Sequence, residues 1–86
     1  MRSLAQVRAD FDDVDAALLA LVQRRQLLAR EAGLIKRSLG LAVKDPEREQ
    51  ARQRERTSWC AAAGVEVDVV EAIFAVLMDA SRKAQG

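Results

Sequence analysis

Residues 2–38 read RSLAQVRADFDDVDAALLALVQRRQLLAREAGLIKRS. Within this stretch and just beyond it, Leu4, Val7, Phe11, Val14, Leu18, Leu21, Leu28, Ala32, Ile35 and Leu39 recur at steps of three and four. That spacing places them on one seam of a single long helix. The step between Leu21 and Leu28 is filled by Arg25. A guanidinium on an apolar seam costs free energy unless something negative meets it, so the partner of Arg25 is the first question the sequence poses.

The helix bounds the quaternary structure as well. About 36 residues at 1.5 Å each give roughly 54 Å. A compact globule of 86 residues is only about 30 Å across. The helix must protrude from a monomer with its seam bare, which predicts an oligomer, most simply a twofold homodimer built on the long helices. The rest of the chain is helical too. Half of the residues are hydrophobic but only 3% are aromatic, and a single Pro and four Gly punctuate them. No run alternates apolar and polar residues, so the fold class is all-α, with one domain over residues 1–86. After Gly40 and a short linker, Asp45-Pro46 is a capping residue followed by a proline at the first helical position. It opens a second helix over roughly 46–62, which is unusually polar until Trp59 and Cys60, and Gly64 stops it. A third helix runs over roughly 68–85, with Val70, Ile73, Phe74, Leu77 and Met78 on its apolar face.

Composition removes several function classes. Net charge is +1, from 14 basic and 13 acidic residues, which is no footprint for nucleic acid or an anionic membrane. There is no histidine and one cysteine. A histidine-based metal site and an internal disulfide are therefore excluded, and Cys60 reads as a small buried or half-buried apolar residue. The N-terminus lacks the apolar core of a signal peptide, and no stretch approaches the length of a membrane span. A reducing cytoplasm is the expectation.

What remains is a set of polar residues at helical spacing. Arg25 and Lys36 are eleven residues apart, within about 20° on the first helix, with the small Ala32 between them. Together they form a basic groove with room for an anion. Arg8 lies about 100° from Arg25 and would point to a different neighbourhood, such as the groove of a partner subunit. On the second helix Asp45 and Glu49 share a face, with Arg48 beside them. On the third, Ser81 and Gln85 extend the Leu77 line. Taken singly, each has a plain reading. Arg25 could pair with a carboxylate such as Glu49, Asp45 could simply cap a helix, and the others could be solvated. Their joint occurrence is what points to a site.

The pattern Val7-Arg8, Asp15, Leu18-Leu19, Arg24-Arg25, Lys36, Asp45-Pro46-Glu47-Arg48-Glu49, Ser81 and Gln85 resembles the all-helical chorismate mutases over nearly the whole chain. That resemblance implies an intertwined homodimer of three-helix subunits that converts chorismate to prephenate in the shikimate pathway. It also implies roles. Arg8 resembles the arginine donated to the partner's site, holding one substrate carboxylate, and Arg25 the arginine for the other. Lys36 resembles the lysine on the ether oxygen and a carboxylate, and Gln85 the glutamine that donates to that oxygen. Asp45 and Glu49 resemble the groups at the substrate hydroxyl, Arg48 the arginine that orders this corner, and Ser81 the serine near a carboxylate. No cofactor or metal is called for, because the reaction is a unimolecular rearrangement.

Arg52, Gln53, Arg56 and Thr57 depart from the pattern, since relatives often place leucine or isoleucine there, and this puts the packing of the second helix in question. Gln85 is next to last, where helices fray, so ordering by ligand is expected. Same-fold alternatives are a mutase for 4-amino-4-deoxychorismate, with Glu49 meeting an ammonium, and an isochorismate–pyruvate lyase, which Asp45 and Glu49 disfavour. A non-catalytic helical dimer is the alternative of another class.

Overall fold

The computed structural model describes residues Met1–Gly86 and consists of three helices: α1 (Leu4–Leu39), α2 (Pro46–Ala63) and α3 (Val67–Gln85). Their ends fall within two residues of those the sequence predicts, because local capping chemistry sets them. Ser3 Oγ accepts from the Gln6 amide at 3.1 Å, and Gln6 Oε1 accepts from the Ser3 amide at 2.8 Å. This reciprocal capping box satisfies two donors that the first turn cannot use internally. At the other end Gly40 takes a left-handed conformation, φ 67°, and Leu41 N–H donates back to the Lys36 carbonyl at 2.8 Å. Asp45 Oδ1 accepts from the Arg48 amide at 3.2 Å to start α2, and Gly64 ends it with φ 71°. α3 begins at Val67, one residue ahead of the expected Asp68, on Glu66 without a side-chain cap.

α3 packs against both α1 and α2, whereas α1 and α2 do not pack on each other. The C-terminal half of α1 faces α3 with Arg25, Gln26, Ala29, Ala32, Gly33 and Lys36, all buried or half-buried. Gly33 marks the closest approach: a Cβ there would lie 2.8 Å from both Cα and the carbonyl oxygen of Gln85. Only a glycine admits the α3 backbone this near, which explains a residue that otherwise weakens a helix interior by about 1 kcal/mol.

Apart from Ala32, the apolar seam does not face α3. Leu28 and Ile35 lie about 60° and 80° round the helix from Arg25, because a 3.5-residue repeat drifts on a 3.6-residue helix. Arg25 therefore leaves the seam and turns inward, while the seam residues Phe11, Leu18, Leu21, Leu28, Ile35 and Leu39 stay exposed. Every residue from Arg8 to Arg24 is exposed, so the N-terminal half of α1 is an arm without partners in its own chain. The molecule is 56 Å long, close to the length of α1 itself. Its accessible surface is 6977 Å², against about 5,000 Å² for a compact monomer of this mass. Only Ala29, Gly33 and Cys60 are fully shielded. No helix is long and apolar enough to cross a membrane.

Candidate functional site

The three helices and the linker before α2 enclose a cavity of about 550 Å³, within the usual range for small-molecule sites. α1 contributes Arg25 and Lys36. α2 contributes Asp45 at its cap, then Arg48, Glu49, Arg52, Glu55, Arg56 and Trp59. α3 contributes Phe74, Met78, Ser81, Arg82 and Gln85. Seven of the eight residues singled out from the sequence thus line one cavity. The eighth, Arg8, lies on the exposed arm, makes no ion pair, and does not reach the cavity of its own chain.

Helix geometry puts these groups in register. Lys36 sits in the last turn of α1, where its ammonium donates to the Val43 carbonyl at 2.9 Å and to Gln85 Oε1 at 2.6 Å. An ammonium has donors only, so it fixes the Gln85 amide with its oxygen toward Lys36 and leaves the amide NH₂ as a donor. Two of the three ammonium protons are used in this way, and the third is available to a ligand. Gln85 is held at further points. Its carbonyl accepts from Arg37 Nη1 at 2.6 Å, its backbone rests on Gly33, and α3 is helical through this residue. α1 thus clasps the C-terminal turn that the sequence marks as prone to fraying.

Arg25 is not met by a carboxylate. Its Nη1 donates to Ser81 Oγ at 3.1 Å, and its guanidinium lies 5.7 Å from the Phe74 ring centre. Glu49, the expected candidate, is instead paired with Arg82 at 3.3 Å. Arg56, one of the departures on α2, also has a defined place. Its Nε and Nη2 donate to the two oxygens of Glu71 at 2.8 and 3.1 Å, and its guanidinium stacks 4.6 Å from the Phe74 centre. This bidentate pair is largely shielded. Hydrogen bonding from Arg56 holds the Glu71 carboxyl below its ordinary range, against partial desolvation, and Glu71 in turn raises Arg56. The polar α2 is thereby fastened to α3 by charge and a ring instead of by leucine.

The lining carries six cationic side chains and three carboxylates. Arg52, Arg56 and Arg82 are each paired, with Glu55, Glu71 and Glu49. The side chains of Arg25, Lys36 and Arg48 form no ion pair, and Asp45 meets only the backbone amide of Arg48. A cavity that presents three unpaired cations, arranged as forks and a point charge, is built to take up an anion of more than one negative charge. No group of His, Cys, Asp or Glu converges as metal ligands would.

Sequence reasoning did not find Arg82 or the Phe74 ring as parts of this site, nor Glu71 as the partner that anchors Arg56. Arg82 carried a signal, since Met78, Arg82 and Gln85 follow one another at steps of four and three. Glu71 and Phe74 carried none beyond lying one turn apart, because their roles depend on where α2 docks.

The family model described as chorismate mutase type II matches residues 7–86. A chorismate mutase of Methanocaldococcus jannaschii is 29% identical over 85 residues, covering 99% of this chain and 86% of that protein. The T-proteins of Enterobacter agglomerans and Haemophilus influenzae are 36% and 31% identical over 75 and 74 residues, but the chain spans only 20% of their length. At the same stringency no solved structure matches. A match through all three helices, joined to a cavity whose free charges are cationic, leads to one conclusion: the chain belongs to the chorismate mutase type II family.

Proposed function

We propose that the chain isomerises chorismate to prephenate as a homodimer with two sites. The observation that carries the reading is the trio of unpaired cations, Arg25, Lys36 and Arg48, in one cavity. Chorismate is a dianion whose ether C–O bond breaks as a C–C bond forms, with no proton transfer and no nucleophile. Such a reaction needs a compact substrate and stabilisation of the oxygen that gathers charge. Arg25 clamps one carboxylate, assisted by Ser81, and Arg8 of the partner subunit clamps the other. Lys36 and the Gln85 amide NH₂ donate to the ether oxygen. Asp45 and Glu49 receive the ring hydroxyl, and Arg48 orders that corner. Preorganised donors of this kind each contribute about 10²–10³ in rate.

Dimerisation is supported by the surface the single chain leaves bare. It exceeds that of a compact monomer by roughly 2,000 Å², the scale of an obligate interface. The partner's arm is the natural source of a second arginine. The single unpaired thiol suits a reducing compartment. The test is to mix the purified protein with chorismate, follow loss of the diene absorbance, and identify the product chromatographically. Prephenate formation supports the reading. Absence of turnover at high enzyme concentration selects the non-catalytic helical dimer.

A further inference from the structure

Glu49 is the one cavity carboxylate that a ligand group could meet and that already carries an interhelical ion pair. Arg82 Nη1 lies 3.3 Å from Glu49 Oε1, bridging α3 to the first turns of α2. The guanidinium is also 3.9 Å from Asp79, one turn earlier on α3, and Asp79 is held in turn by Lys83 at 3.0 Å. Arg82 is thus steered from two sides, with about a third of its side chain exposed. Arg48 adds a second positive charge to the same wall and has no carboxylate of its own.

We propose that Arg82 is a specificity-determining residue that acts through Glu49, tuning this corner to accept an uncharged hydroxyl and to reject an ammonium. The proposal rests on the reading that a cyclic dicarboxylate occupies the cavity. A hydroxyl arriving at Glu49 donates one hydrogen bond to a carboxylate oxygen and meets no like charge. An ammonium in the same place must share the carboxylate with a guanidinium already fixed on it. Two like charges about 6 Å apart in a half-exposed pocket repel enough to change affinity about tenfold. Discrimination here comes from a repulsive group placed beside the attractive one.

The experiment compares kcat/KM for chorismate and for its 4-amino analogue in the wild-type protein, Arg82→Gln and Arg82→Lys. Each substrate ratio is taken on one preparation, so partial unfolding of a variant cancels. The wild type is expected to prefer the hydroxyl substrate. Arg82→Gln is expected to shift the ratio about tenfold toward the amine, and Arg82→Lys, which keeps the charge, to hold it. An unchanged ratio in Arg82→Gln, with chorismate still turned over, overturns the role of Arg82 and leaves the mutase reading standing. A wild-type preference for the amine also overturns it. Turnover of neither substrate by the wild type overturns the mutase reading, and this inference with it.

Discussion

Lys36 and Gln85 divide their hydrogen bonds by chemical necessity, and that division is where the rate should be lost first. Because the ammonium claims the amide oxygen at 2.6 Å, removing it frees Gln85 to rotate and deletes one donor as well. Lys36→Ala is expected to lower kcat by about 10²–10³ or more with helicity unchanged, read by single-substrate kinetics beside circular dichroism. Wild-type turnover in this variant would break the assignment. A second prediction concerns Glu71, which serves the fold. Its folded carboxyl titrates below the ordinary value of 4.5 because Arg56 hydrogen-bonds to it. An unfolded chain therefore takes up this proton more readily. The pair's contribution is fully present above that ordinary value and fades as pH falls through the folded one. Glu71→Gln should unfold at lower urea than the wild type at pH 7. The gap between them should narrow as pH is lowered below about 4.5. A constant gap would mean that packing alone explains the loss.

At the scale of elements, the helix ends were open to reading because capping is local. Ser3 with Gln6, Asp45 with Pro46, Gly40 and Gly64 all stand within a few residues of the backbone groups they serve. The partners of Arg25 and Glu49 were hidden for the opposite reason. They lie 56 and 33 positions away in sequence, so the spacing along one helix cannot name them. Periodicity brought Arg25, Lys36, Ser81 and Gln85 to inward faces, but only the docking of α3 decides that a hydroxyl and a ring meet Arg25. The Gly33 contact carries the third prediction. Alanine would raise the intrinsic stability of α1 by about 1 kcal/mol. It would also drive a methyl group into the Gln85 backbone, and overpacking of this kind costs about 1–3 kcal/mol. The clash wins, and it is relieved by moving the end of α3. Gly33→Ala should lose about tenfold to a hundredfold in kcat, since a misplacement near 1 Å has that effect. Its melting temperature, measured alongside, should fall by about 4–8 °C for each kcal/mol of net loss. Unchanged turnover would show that the close approach does not position Gln85.

For the whole molecule, the exposed arm sets the terms. A chain with three shielded residues has little core of its own, and the proposed dimer would supply the rest. The wild type should sediment at about twice 9.5 kDa, and its melting temperature should rise with protein concentration. Leu18→Asp, which places a charge on the exposed seam far from the cavity, should lower both the dimer mass and the specific activity. A fully active monomer would refute the shared site. Repeating the urea series at two protein concentrations would separate assembly from the Arg56–Glu71 pair.

On the proposed dimer, the arm also makes the cell's supply of this protein part of its kinetics. Below the dissociation constant of the pair, assembled enzyme grows with the square of chain concentration, so halving expression leaves about a quarter of the activity. Gene dosage then acts as a threshold device. Output then rises steeply once enough copies meet.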